Sequence, residues 1–183
     1  MDRTSETDWE EIKALFRETD RKFQETDRKF QETREFLDGL SRRFGELGNR
    51  LGEFVETMVE PAVVRLFQDR GLAVREVHRR VTADRNGERI EIDLLVVDGD
   101  AAVAVECKSR ITIRDVERHL DRLNRIKRLM PRFSDARIHG ALAGMVIDDE
   151  AADFAERLGF WVLAPSGETM TLRNGQDFAP RVW

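Results

Sequence analysis

Between Trp9 and Phe54 the chain repeats every seven residues, and this repeat restricts its fold more than any other feature. Trp9, Phe16, Phe23, Phe30, Leu37, Phe44 and Leu51 occupy one heptad position, and Ile12, Thr19, Thr26, Thr33, Leu40, Leu47 and Phe54 each follow three residues later. Side chains at that spacing share one stripe of an α-helix, so the segment predicts a helical coiled coil, on the order of 70 Å long if unbroken. The near-identical units RETDRKF and QETDRKF make it an internal repeat. Threonine fills the seam poorly, which leaves phenylalanine to carry it. Gly39, Gly45, Gly48 and Gly52 weaken the helix further, and a kink or break is expected within 39–52. Such a stripe has to be covered. Self-association through residues 9–54, as a homodimer or a higher oligomer, is the expected solution, with folding back onto the chain's own globular part as the competing one. The pattern sets no strand number. Residues 1–51 therefore read as a coiled-coil oligomerisation stalk and 52–183 as a separate domain.

The 183 residues are 40% apolar and 37% charged, enough for one core plus a long solvated element. No run of about 18 apolar residues occurs and the amino terminus is acidic and polar, so neither a membrane span nor a secretory signal is expected, and the expected compartment is the cytoplasm. Cys107, the one cysteine, falls on the apolar face of a strand and reads as a core residue rather than a catalytic thiol. No nucleotide cofactor is expected.

The globular part is organised around RIEIDLLVVDGDAAVAVECKSR, residues 89–110. Two apolar runs, Ile90 to Val97 and Ala101 to Cys107, joined by Asp98-Gly99-Asp100, predict a tight antiparallel hairpin. Strand alternation places Ala104, Glu106 and Lys108 on one face and Val103, Val105 and Cys107 on the other. Asp93, Glu106 and Lys108 are not needed by a plain hairpin, and buried ionisable groups are tolerated only when paired or bound to a metal. Before the hairpin, a helix is expected from about Gly52 to Arg70, with Pro61 as a kink or new start and Gly71 as its end, then a strand from Ala73 to Val81 and a turn at Asn86-Gly87. After it come an amphipathic helix from Ile113 to Leu129 closed by Pro131, a buried strand from Arg137 to Ile147, a short helix capped near Asp148 or Asp149 and ending at Gly159, and a strand from Phe160 to Ala164. A turn at Ser166-Gly167 then leads to a small hairpin or tail. The fold class predicted is mixed α/β, in the order α, β, β, β, α, β, α, β after the stalk.

Two carboxylates from adjacent strands with a lysine two residues beyond the second suit a hard divalent cation. Mg²⁺, with Mn²⁺ as a plausible substitute, would be held by Asp93, Glu106 and the backbone carbonyl of Cys107 while keeping positions for phosphate and water. Lys108 is placed to orient or deprotonate that water and to offset charge in the transition state. The chemistry this fits is phosphodiester hydrolysis.

The pattern IEIDLLVV followed by VAVECKS, with a Glu-bearing helix and a strand before it and a helix and a strand after, resembles the PD-(D/E)XK superfamily, over about residues 53–165. The resemblance implies a restriction-endonuclease-like αβββαβ core with a mixed central sheet. By match, it makes Asp93 and Glu106 the Mg²⁺ ligands and Lys108 the residue that acts on water. The first helix of that family commonly adds a glutamate, and Glu56 and Glu60 lie one turn apart on one face. LGEFVETMVEPAVVRLF also resembles uncharacterised bacterial proteins that join heptad repeats to a nuclease-like domain. In those the glutamate five residues before the proline recurs, which favours Glu56. Ile92 stands where the strict motif has proline. Glu91 reads as either a supporting ligand or a strand-end charge.

The chain's formal charge of -5 disfavours nucleic acid, but from Lys108 to Arg132 there are nine basic residues and three acidic ones. Arg114, Arg118, Arg122 and Arg125, with Arg110 before them, either track a phosphate backbone or form a solvated helix face. His78, His119 and His139 show no metal-ligand spacing and read as structural or surface residues. The function expected is a Mg²⁺-dependent nuclease acting on DNA, assembled through the coiled coil. The alternatives are an inactive nuclease-like scaffold that binds nucleic acid or a protein, and a docking rod formed by the repeats.

Overall fold

The computed structural model describes residues 3–183, with side chains from Trp9 onward; the first two residues of the expected stalk lie outside that range. The chain divides into two units, residues 1–48 and 49–183. Helix α1 (Arg3–Gln68) supplies all described residues of the first unit and the start of the second. The break expected within 39–52 does not occur, since these residues are helical throughout. Among the described residues nothing comes within 4 Å of where a Cβ would sit at the four glycines, and each costs only about 1 kcal/mol relative to alanine, which the surrounding helix formers offset. Pro61 likewise lies inside the helix instead of starting a new one.

In the first unit the heptad stripe faces solvent: Trp9, Phe16, Phe23, Phe30, Leu37, Phe44 and Leu47 are all more than half exposed. The threonines of the stripe satisfy themselves. Thr19, Thr26 and Thr33 each donate through Oγ1 to the carbonyl four residues back, at 2.8, 2.8 and 2.7 Å. That bond leaves the methyl group as the surface each presents to a partner and removes the cost of burying a free hydroxyl. Outside the stripe, pairs such as Glu18 with Lys22, at 2.9 Å, lie along the helix, as i, i+4 partners do.

The second unit is a six-stranded mixed sheet flanked by helices, an α/β architecture. Its elements are β1 (Glu76–Arg85), β2 (Glu88–Asp98), β3 (Ala101–Ile111), α2 (Ile113–Leu129), β4 (Arg137–Ile147), α3 (Asp149–Arg157), β5 (Trp161–Ser166) and β6 (Thr169–Leu172). The strands lie in chain order across the sheet. β1–β2, β2–β3 and β5–β6 are antiparallel, and β3–β4 and β4–β5 are parallel. Relative to the sequence expectation, β1 starts and ends later, and the terminal segment forms a short sixth strand.

Two successive crossovers in one direction, each of the usual right hand, put both connecting helices on the same face of the sheet. α2 and α3 accordingly cover Ala102, Ala104, Ile138, Leu142 and Val162. The opposite face, with Val103, Val105, Cys107, Ala141 and Leu163, is covered by Val55, Val59, Val63 and Phe67 of α1. The spacing of four keeps these last residues on one helix stripe. As expected from alternation, the side chains of β3 from Ala101 to Cys107 divide between the two cores, and Ile111 at the strand's end departs from it by packing under α2.

Gly140 of β4 sets how near α2 can come. A Cβ there would lie 2.4 Å from Leu123 Cδ1 and 2.6 Å from Phe160 Cε1, so the helix and β5 close over a missing side chain. Gly140→Ala is expected to lower stability by about 1 to 3 kcal/mol through overpacking. Urea denaturation of the full chain measures this, and an unchanged midpoint would refute the close approach.

Candidate active site

The ladders of β2 are interrupted at one residue. β1 pairs with β2 at Arg79↔Leu94 and again at Val81↔Ile92, skipping Arg80 and Asp93. The β2–β3 ladder ends at Leu94↔Val105, so β2 leaves β3 just before Asp93 would meet Glu106. The apolar side chains record the change: Leu94 and Val96 belong to the core under α1, whereas Ile90 and Ile92 belong to the core under α2. Arg80 is the partner distortion on β1, a non-glycine residue at φ +48°. Such a conformation costs on the order of 1 to 3 kcal/mol and persists only where the surroundings impose it.

The separation frees the Cys107 N–H from the β2 ladder, and Asp93 takes it. Cys107 N donates to Asp93 Oδ2 at 2.8 Å. Glu106, 2% exposed, lies on the α2 side of β3. Its Oε1 is 2.9 Å from Lys108 Nζ, and Arg122 of α2 donates to its Oε2. Glu56 is 8% exposed, with Arg80 Nε at 3.5 Å and Arg79 Nη2 at 4.0 Å. Glu60 is more exposed and pairs with Arg79 at 3.3 Å. Of the two helix glutamates, Glu56 is therefore the buried one. Its charge also acts on Asp93 and Cys107.

These surroundings set the protonation states. Burial, with the negative charges of Glu106 and Glu56, pushes the Asp93 carboxyl up to about 6, against the Cys107 N–H and Lys108. Among the described residues no cation pairs with it directly. Burial acts to raise Glu106 as well, but His119 in its charged form, Lys108 and Arg122 together outweigh it and hold this carboxyl below its usual range. Burial also lowers Lys108, and the Glu106 carboxylate reverses that, so the amine is held charged. His119 of α2 is fully buried, and burial lowers it to about 4, so it adds no charge at neutral pH. Its Nε2 donates to the Ala104 carbonyl at 3.0 Å; Nδ1 has no partner among the described residues. Cys107 is buried and its thiol is pushed up by burial and the adjoining carboxylates, as suits a core residue.

The arginines expected to line a nucleic acid divide into different roles. Arg122 turns inward onto Glu106. Arg125 pairs with Asp121 at 2.6 Å, and Arg110 with Asp148 at 2.6 Å. Arg114 and Arg118 line a shallow cleft of about 400 Å³ together with Glu117, Asp121, Arg122 and Arg125. His78 is at the surface beside Glu76, and His139 is buried, donating through Nδ1 to the Arg181 carbonyl at 2.9 Å. Arg79 and Arg80 escaped sequence reasoning. The signal was present, because HRRV interrupts the alternation of β1 with two adjacent cations.

As a donor set for a cation, Asp93, Glu106 and Glu56 supply the hard oxygen atoms that Mg²⁺ or Mn²⁺ prefers. Asp93 is raised partly by the other two carboxylates, a repulsion that a shared cation relieves. Among the described residues no three potential ligands are gathered ready to hold an ion, since Glu106 and Glu56 each hold a guanidinium. The residues fit the group by chemistry, and metal binding would require those carboxylates to exchange partners.

No family model matches the chain, and no curated protein does. A crystal structure described as that of a protein of unknown function, AF1548, is similar over 58% of this chain and 58% of its own, at 16% sequence identity and a TM-score of 0.40. A likeness at that level assigns no family.

The opposed shifts of Asp93 and His119 give a pH test. The raised Asp93 contributes stability below about pH 4 that is lost as pH rises through about 6. The lowered His119 contributes stability above about 6.5 that is lost as pH falls through about 4. Asp93→Asn is therefore expected to stabilise the ion-free protein at pH 7.5 by about 2 kcal/mol, with the gain gone near pH 4. Thermal denaturation across that range checks it; a variant no more stable than the parent at pH 7.5 would contradict the shift.

Proposed function

We propose that this chain is a metal-dependent phosphodiesterase of the PD-(D/E)XK, restriction-endonuclease-like type, acting on DNA. The observation that supports the reading is the Asp93 carboxyl at the point where β2 leaves β3, raised by burial and by the charges of Glu106 and Glu56, with Lys108 paired to Glu106. The element order αβββαβ supports it. Mg²⁺ or Mn²⁺ would be held by Asp93, Glu106 and Glu56, with the Cys107 carbonyl as the backbone ligand. When bound, such an ion polarises a phosphoryl oxygen and lowers the pKa of water.

The chain's own groups divide the remaining work. Lys108 is charged and held by Glu106, so it acts as a hydrogen-bond donor that orients water and offsets developing negative charge, rather than as a base. Arg122 fixes the Glu106 carboxylate from α2. Arg114 and Arg118, on the outer face of that helix, are left for the DNA backbone, and contacts of this kind give salt-dependent, sequence-independent affinity. Incubation with plasmid, linear and branched DNA and Mg²⁺ is expected to give cleavage that Asp93→Ala abolishes and Lys108→Ala slows by about a hundredfold or more. Absence of cleavage, or cleavage indifferent to both substitutions, would reject the enzymatic reading.

One observation favours a second reading, a non-catalytic scaffold: both oxygens of Glu106 are already engaged by cations of the chain itself. That reading predicts nucleic-acid binding that survives Asp93→Ala, without metal uptake.

The stripe on α1 is read as a self-association seam joining two or more copies, which would supply the pair of sites needed to cut both strands of a duplex. Its exposed phenylalanines are the support. An isolated helix has nothing against which to bury them, and their area is the gain available on association. Sedimentation of the full chain is expected to give an oligomer, and Phe23→Ser with Phe30→Ser a monomer. A monomeric parent chain would end this part of the proposal.

A further inference from the structure

The buried carboxylates of the candidate site are balanced by the chain itself. Glu56, Asp93 and Glu106 stand against Arg79, Arg80, Lys108 and Arg122. Adding a divalent cation upsets that balance, and one phosphodiester charge offsets only half of the addition, so a cation of the chain has to let go. Arg80 is the one built to do so. Its side chain is 52% exposed, compared with 40% for Lys108 and 24% for Arg122. Its contact with Glu56, at 3.5 Å, is longer than either cation's contact with Glu106. Arg79, at 4.0 Å from Glu56, is held by Glu60 at 3.3 Å, and for Arg80, Glu53 Oε1, on the surface at 3.1 Å, offers a second anchor away from the buried carboxylate. The strained backbone at φ +48° aims it toward α1 from the same interruption that sets Asp93. Glu53, Glu56, Thr57, Arg79 and Arg80 line a cleft of about 300 Å³, within which the guanidinium has room to move.

We propose that Arg80 is a stand-in for the divalent cation: it neutralises Glu56 in the ion-free protein, and when an ion takes that carboxylate it is released to bind a phosphate of the DNA backbone in the adjoining cleft. The inference rests on the nuclease reading for the ion and goes beyond it in assigning Arg80 two alternative partners. A residue that only stabilised the fold would not compete with a metal. Arg80 does, and the competition has a sign.

Calorimetric titration of the full chain with Mn²⁺ alone reads this directly. Arg80→Gly keeps the positive φ without strain, so the backbone is retained while the charge is lost. Removing one competing ion pair is expected to tighten Mn²⁺ binding about fivefold, and Arg80→Lys is expected to stay near the parent value. Binding of a labelled DNA duplex in Ca²⁺, used in place of the catalytic ion, is expected to weaken about fivefold in Arg80→Gly. Equal or weaker Mn²⁺ affinity in Arg80→Gly overturns the proposal, as does unchanged DNA affinity in Ca²⁺. If the parent chain binds Mn²⁺ and the variant binds it identically, the role of Arg80 alone fails. If neither binds Mn²⁺, the nuclease reading falls with it.

Discussion

The second unit depends on one hydrogen bond, from the Cys107 N–H to the Asp93 carboxylate. β2 and β3 run as an ordinary antiparallel pair from Asp98↔Ala101 to Leu94↔Val105, and beyond that point β2 turns away. A buried N–H cannot be left unpaired without cost, so the departure of the strand is possible only because a side chain takes the place of the missing ladder partner. The same bond holds a carboxyl in a half-buried position within the influence of the Glu106 and Glu56 charges. Local backbone geometry and site electrostatics therefore have one origin, and the strain at Arg80 on the neighbouring strand is part of it.

α2 does two jobs from one face. Val116, Leu123 and Ile126 are buried in the core, and Leu123 sits over Gly140, where the absence of a Cβ allows the helix to approach. That approach brings His119 to the Ala104 carbonyl and Arg122 to Glu106. The helix thereby covers one face of the sheet and, with Lys108 of β3, supplies the positive charge that keeps Glu106 ionised in a buried setting, a combination that costs stability if either partner is removed.

Much of this was legible from residues. The alternation of Val103, Val105 and Cys107 against Ala104 and Glu106 places these side chains on the faces where they are found, because successive side chains of a regular strand point to opposite faces. The turn at Asp98-Gly99 and the helix ending before Pro131 follow from turn and proline chemistry. The inward turn of Arg122 was less legible: regular spacing groups it with Arg114 and Arg118, yet it stands three residues after His119 and four before Ile126, at the margin of the buried stripe. Glycine spacing misled in α1, where a small local cost at each residue was summed as if nothing opposed it. The interruption at Arg80 and Asp93 shows in the sequence only as the two adjacent cations of HRRV; that it frees Asp93 for the Cys107 N–H appears only when three strands are aligned.

By itself the sequence determined the helical heptad stripe, though not that one helix runs unbroken to Gln68, the order of strands and helices, and the residue types offered at β2, β3 and the last turns of α1. These are consequences of periodicity, which acts over a few residues. Tertiary structure alone decided which cation meets which carboxylate: Arg80 with Glu56, Arg122 and Lys108 with Glu106, and none with Asp93 among the described residues. Ion pairing depends on distances between elements far apart in the chain, and those distances are set by how β2 leaves β3 and how closely α2 can lie on Gly140.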